Sequence, residues 1–444
     1  MTIKNRGTNL AIVLALALTL SCTWPAYARA RHAASTVLQV SFEGTQAAFA
    51  GLPPADRHVV ADFTHDTGQP ATALPDQDPV KILASIEGGN APDLVILGYV
   101  RPSWLQQGAV MPLDSYMTAS HFNLNKFTNA AWNQGYLNGH YYAMTAEQDA
   151  LVLLYNKSLF KQAGLDPAKP PQTLSQLASY AKKLTVFNRD GSIKQLGLMP
   201  NYSNGGGGAN YFQLWGNLFG GSWYDAAHKK ITAADPRNVQ ALTWLTNFWQ
   251  TYGPSKLDRF EAGFGTYLGP NDPFARGKIA MLIDGDWWPA YVPKGFDLGG
   301  GYLPYPDGHP ELAHTSGVFG DVMLIPKGSR HPDLAWKFIN WYMNSQREQI
   351  NLPDTLTGYP LLKSALGQPL AGTLGKNAMV RFFEHVLLTV HGTPNPLVMP
   401  VTERYLQNIN FDGAKAIHGQ ESPLTALQHV AQVTQPELDQ AVGH

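Results

Sequence analysis

The chain of 444 residues carries 32 Lys plus Arg against 33 Asp plus Glu, so it lacks the net field that draws in nucleic acid or acidic lipid. Charged residues make up 15 % of it, below the roughly 25 % of an average soluble domain, while 44 % hydrophobic residues suffice for a full core and exclude global disorder. A single cysteine excludes a disulfide scaffold and any multi-cysteine metal centre.

Lys4 and Arg6 precede an apolar run from Leu10 to Leu20, followed by small residues at Ser21, Ala26, Ala28 and Ala30, which is the layout of an export signal over residues 1–30. A helix over that run spans about 16 Å against the roughly 30 Å of a bilayer core, so it reads as a signal rather than an anchor. Cys22, after Thr19-Leu20-Ser21, resembles a bacterial lipoprotein box, with Thr19 departing from the usual leucine. Cleavage after Ala26-Tyr27-Ala28 would remove it instead. The exported protein is therefore expected either in the periplasm or lipid-anchored through Cys22 to the outer face of the cell membrane, and both readings stay open.

Short apolar runs at Val37–Phe42, Leu94–Leu97, Leu151–Tyr155, Ile279–Ile283 and Val322–Ile325 read as buried strands alternating with helices, the pattern of α/β layers. His58–Phe63 reads as a further strand. His58, Asp62, His65 and Asp66 would share a helical face suited to zinc, but Val59-Val60-Ala61 with Phe63 suits a strand, which scatters them, and no metal site is expected. Thr173, with Gln176 reaching back, opens a helix carrying Leu174, Leu177, Ala181 and Leu184. Asp235-Pro236, Pro332 and Ser422-Pro423 open three more, the first stopped by Gly253. Gly205-Gly206-Gly207-Gly208 reads as a flexible surface loop; no Lys-Ser or Lys-Thr follows it, so it is not a phosphate cradle.

Gly-x-Ser-x-Gly, His-Glu-x-x-His and a strand-linked Gly-x-Gly-x-x-Gly are all missing from the sequence. Glu147 and Asp149 stand two apart, so on a strand both project to one side. Such a pair suits glycoside hydrolysis, but equally the acceptance of hydrogen bonds from sugar hydroxyls with no proton transfer.

Three stretches carry a resemblance. They are Ile86-Glu87-Gly88-Gly89-Asn90-Ala91-Pro92-Asp93-Leu94; Leu153-Leu154-Tyr155-Asn156-Lys157-Ser158-Leu159-Phe160 with Ala163-Gly164-Leu165-Asp166, Pro170-Pro171 and Thr173; and Phe274-Ala275-Arg276-Gly277-Lys278-Ile279-Ala280-Met281 running to Asp284-Gly285-Asp286-Trp287. In order and spacing the chain resembles the extracellular solute-binding proteins that feed carbohydrate ABC importers, the family of maltose- and glycerol-3-phosphate-binding proteins. The resemblance implies a periplasmic-binding-protein-like type II fold: two α/β lobes, a hinge and a central ligand cleft. By analogy the first lobe takes 35–147 and 277–318 and the second takes 148–276 and 319–444, with crossings near Thr145–Ala150, Ile279 and Ser316–Val322. Between Glu43 and Pro79 the sequence departs from the pattern: a brief Thr45–Leu52 segment ended by Pro53-Pro54 and the strand at His58–Phe63 imply a trimmed first lobe.

A sugar site needs flat rings for C–H faces and forked polar groups for hydroxyls. Trp287 matches the stacking tryptophan of the family motif, with Trp288 beside it, and Tyr359 matches a cleft-lining loop position. Trp215 and Tyr211 precede Gly220-Gly221, Tyr99 follows the Leu94–Leu97 strand, and Phe319 stands at a crossing. Asp149, Glu147, Asn210 and Asn395 are the expected hydroxyl partners. The resemblance further implies a monomer without cofactor or catalytic residue, handing a carbohydrate to membrane permease subunits. A glycerophosphodiester or polyol ligand is the alternative, with Arg101 and Arg404 the cations it would need; a secreted glycoside hydrolase is the third reading.

Overall fold

The computed structural model describes residues 36–43, 56–75, 77–128, 132–200, 208–352, 358–394 and 397–443. Two mixed sheets organise them. The first has the order Ala71–Ala73, Leu38–Phe42, Leu94–Leu97, Val322–Leu324, Ala143–Thr145, the first three parallel and the last two pairing antiparallel to their neighbours. Alternate residues of its strands feed opposite faces, as period-2 geometry requires. Leu94, Ile96 and Met323 enter one core with Phe63, Phe338 and Tyr342, while Val95, Leu97 and Val322 enter another with Ile82 and Trp104.

The second sheet has the order His391–Pro394, Thr315–Phe319, Asp149–Asn156, Ile279–Gly285, Ile193–Met199, Val186–Phe187, with Leu298–Gly301 also paired to Asp149–Asn156. Every residue of Asp149–Asn156 and Ile279–Gly285 is buried, which is why both read as continuous apolar runs. The helices Leu174–Leu184, Pro236–Tyr252, Thr402–Ile417 and Pro423–Ala441 pack around this sheet. Their starts follow the expected caps. Thr173 accepts from the Gln176 amide, Asp235 from Arg237 and Ser422 from Thr425. Gln176 reaches back to the Gln172 amide at 2.9 Å.

Two expectations are corrected. Residues 56–67 form a helix, not a strand: Val59, Val60 and Phe63 fall on one helical face, and Phe63 packs on Phe338 with ring centroids 5.0 Å apart. A short apolar run cannot distinguish the two periods by itself. The second strand is Ala71–Ala73, so strand, helix and strand follow one another here and the lobe is not trimmed in that respect. Asp62 and Asp66 of this helix pair with Arg347, at 3.8 and 2.9 Å.

The chain also does not return to the first sheet at Ile279. That strand pairs with Asp149–Asn156 and Ile193–Met199, so 277–318 builds the second lobe, while Val322–Leu324 and the helix Pro332–Asn344 build the first. The passages between sheets lie at 146–148, at 320–321 and between Ala365 and Leu370, which belong to different cores. A third segment runs beside the first passage, because Gln148 and Tyr359 exchange backbone hydrogen bonds at 3.1 and 3.0 Å. There a Cβ on Gly358 would overlap the Glu147 carboxylate, so only glycine lets the two segments come this close.

Candidate functional site

Strand ends from both sheets converge at these passages, where open α/β sheets collect ligands. Glu43 follows Leu38–Phe42 and Tyr99 follows Leu94–Leu97; from the second sheet come Asp149, Phe319, Asp286 and Trp287. Phe319 lies opposite Asp149 in the antiparallel ladder.

Trp287 is partly exposed. Its Nε1 donates to the Tyr267 hydroxyl at 3.2 Å, and it meets Phe319 edge-on at 5.7 Å. The indole lies directly on Gly285, where an added Cβ would fall inside the ring. This explains why glycine stands two residues before the tryptophan. Gly285→Ala is therefore expected to tilt the ring and weaken ligand binding about tenfold or more, with the helical circular-dichroism signal kept. Titration calorimetry checks this, and an affinity within twofold of wild type would mean that the ring's seat is immaterial.

Three expected ligand residues belong to the core. Trp215 is fully buried, stacked on Trp244 at 4.8 Å, and donates to the Pro200 carbonyl at 3.2 Å. Trp288 is fully buried against Phe274, with Nε1 donating to Asp284 at 2.9 Å. Tyr359 is 1 % exposed and packs beneath the site, its hydroxyl 3.5 Å from the Asp286 carbonyl. An aromatic at a strand or loop end has the same local signature on either side; packing alone decides which side it takes. Cys22 and Asn395 lie outside the described residues, as do the side chains of Asn210 and Tyr211, whose backbones belong to the Gly208–Leu218 helix.

From the first lobe, the Arg101 guanidinium lies 4.6 Å from the Tyr99 ring centroid, donates to its hydroxyl at 2.9 Å and pairs with Glu43 at 3.0 Å. Glu43 also accepts from the Gly98 amide at 2.9 Å. Positions 3.8 Å from a Cβ on Gly98 are held by both Glu43 and Asp321, so these carboxylates share one neighbourhood. Arg404, by contrast, is spent on Glu437 at the surface. Glu43, Asp286 and Asp321 join the site here without a motif or spacing that singles them out in the sequence. Each adjoins a buried strand, the one signal that marks them.

Glu147 is not free to meet a ligand: it is fully buried and accepts from the Asp321 amide. It forms, with Asp149, Asp286 and Asp321, a set of carboxylates whose affinities for protons are all raised, in each case first by burial. Neighbouring carboxylate charge adds to this at Glu147, Asp286 and Asp321, whereas at Asp149 hydrogen bonding to Asp286 and Glu147 offsets part of it. Asp149 is pushed up to about 7 and Asp321 to about 8, while Glu147 and Asp286 move well above the usual carboxylate range. Groups whose folded pKa exceeds the unfolded value bind extra protons in the folded state. Their contribution is fully favourable below about pH 4 and is lost as pH rises towards about 8. Melting temperature at constant ionic strength is expected to fall by several degrees from pH 5.5 to 8.5, with a shallower slope in Asp321→Asn; a rise over that window in wild type would contradict this electrostatic reading.

Among the described residues no group of three or more His, Cys, Asp or Glu is arranged to hold a metal ion, and no helix is long and apolar enough to cross a membrane. The sequence profile of the family described as bacterial extracellular solute-binding protein matches residues 58–347. Similar proteins include the maltotriose-binding protein of Pyrococcus abyssi, 24 % identical over 64 % of this chain and 58 % of that one. Another is the sn-glycerol-3-phosphate-binding periplasmic protein of Pectobacterium atrosepticum, 24 % identical over 56 % and 55 %. The chain thus spans little more than half the length of these two relatives. Among solved structures, CpMnBP1 with mannotriose bound superposes with a TM-score of 0.75 and 26 % identity, over 90 % of this chain and 99 % of that one.

Proposed function

The chain belongs to the bacterial extracellular solute-binding protein family, and from that premise we propose that it captures a di- or oligosaccharide between its two lobes and delivers it unchanged to an ABC importer. The observation that carries this is Trp287, a partly exposed indole at the end of a buried strand, seated on Gly285 and set beside Phe319 and Asp149. Ring faces for sugar C–H bonds and carboxylates for hydroxyls are the two chemistries such a ligand needs. The similarity to proteins named for maltotriose and holding mannotriose supports the same ligand class. A disaccharide of about 23 heavy atoms, at about 0.3 kcal/mol each, would bind near micromolar, tight enough to scavenge and weak enough to release.

The similarity to a glycerol-3-phosphate-binding protein favours a second reading, a glycerophosphodiester ligand. Its phosphate would face Asp149, Asp286, Asp321 and Glu43, with Arg101 already committed to Glu43 and Tyr99, so the neutral sugar is the better fit. Hydrolysis is disfavoured, because Glu147 is enclosed and bonded to the Asp321 amide and does not flank a scissile bond. In this reading the protein acts as a monomer outside the cytoplasm, and two membrane permeases are its partners.

A panel of mono- to trisaccharides and a glycerophosphodiester tests the proposal. At a hundredfold excess over Kd, binding adds about 2.7 kcal/mol to stability. A sugar is expected to raise the melting temperature by several degrees and to change tryptophan fluorescence. If no sugar does either, the carbohydrate reading fails; a response to the phosphodiester alone selects the second reading.

A further inference from the structure

Among the described residues the buried carboxylates have no cation between them, and their geometry leaves specific oxygens without donors. Asp286 Oδ2 accepts from the Ala150 amide at 3.0 Å, but Asp286 Oδ1, Asp149 Oδ1 and Glu147 Oε2 are buried with no donor facing them. Asp286 is 1 % exposed and Asp149 7 % exposed. Asp149 opens one strand and Asp286 follows the end of the adjacent one, and the two are tied there by the Asp286 amide donating to the Ala150 carbonyl at 3.2 Å. A carboxylate oxygen enclosed beside another carboxylate is tolerated when one proton lies between them, converting a repulsion into a hydrogen bond.

The other titratable groups around the pair are, apart from Arg101, carboxyls and hydroxyls, and Glu147 also stands within hydrogen-bonding reach of Asp149. Glu147 comes from the first passage and Asp321 from the second, with Glu43 and its partner Arg101 beyond Asp321. Tyr359 and Tyr342 present buried hydroxyls, Glu384 lies behind Tyr359, and Asp284 is occupied by the hydroxyl of Tyr267 and the indole of Trp288.

We propose that Asp286 is a positioning residue: it stays un-ionised at neutral pH and donates its proton to Asp149, fixing Asp149 as an oriented acceptor for the ligand. The fixed Asp149 rests on the reading of that residue as a sugar contact; the shared proton does not. Asp286 is the more enclosed of the two, 1 % exposed against 7 %, and burial favours the neutral form of a carboxyl, which places the proton on Asp286. Trp287 follows Asp286 directly beyond the strand's end at Gly285, so the same segment sets both the ring and the acceptor.

Infrared spectra of the ligand-free full chain decide the matter independently of any sugar. An un-ionised carboxyl carbonyl stretch is expected at pH 7 and should titrate away at higher pH. Asp286→Asn should remove one carboxyl's worth of it and shift the remaining titration to lower pH, and Asp149→Asn should shift it as well, which keeps the test open if one variant fails to fold. A wild-type spectrum without the band at pH 7, or a band that both variants leave unchanged, overturns the proposal. With maltotriose as the probe, Asp286→Ala should bind about tenfold more weakly than Asp286→Asn, which keeps a donor for Asp149; equal affinities overturn the positioning role. If maltotriose and every other sugar fail to bind while the band behaves as expected, the carbohydrate reading falls and the shared proton stands.

Discussion

Trp288→Ala is expected to cost about 3–5 kcal/mol of folding stability, the usual range for truncating a fully buried large aromatic. The indole packs edge-on against Phe274 at 5.0 Å and near Tyr267 at 6.3 Å, so its loss opens a cavity between groups held by the sheet. It also removes the Nε1 donor that reaches Asp284 at 2.9 Å. The carboxylate keeps the Tyr267 hydroxyl, which faces both its oxygens at 3.1 and 3.0 Å, so the electrostatic part of the loss is the smaller one. Trp288→Phe should recover about half of the stability by refilling the space. Denaturant titration measures both; a loss under about 1 kcal/mol for the alanine variant would mean that the site collapses freely and that Trp288 is not part of the core.

Its neighbour should behave in the opposite way. Trp287→Ala is expected to leave the unfolding midpoint nearly unchanged, since the ring is partly exposed and gives up one hydrogen bond to Tyr267 and one edge contact with Phe319. Affinity for the sugar found by the panel should fall about 30-fold or more, because a stacked ring face contributes roughly 2 kcal/mol. Calorimetric titration at a single pH gives the ratio. A variant that binds within twofold of wild type would dismiss Trp287 as the sugar platform, while a strongly destabilised one would place it with Trp288 in the core.

The adjacent pair shows how far the residues alone reach. Both tryptophans follow the same buried strand, and a strand's alternation says that they point apart, but not which side is solvent. The motif matched by Gly285-Asp286-Trp287 favoured Trp287, and the ring seated on the glycine is the physical content of that match. Nothing comparable marked Trp215 as core, because its helix is apolar on more than one side and both Trp244 and the sheet compete for the space. The carboxylates were half legible. Glu147 and Asp149 stood out by their spacing, but Asp286 and Asp321 lie far away in sequence and join them only through strand pairing and the passage between sheets.

Local chemistry was enough to determine the helix starts at Thr173, Asp235, Pro332 and Ser422 and the buried strands, since caps, prolines and apolar runs act through neighbouring residues. The ordered motifs from Ile86 to Trp287 likewise determined the family. Tertiary structure alone decided that 277–318 joins the second sheet, that 56–67 is a helix, and which rings are walled in. Each of these depends on the partner a segment finds across the fold, and one short apolar run satisfies several partners equally well until all of them compete for the same core.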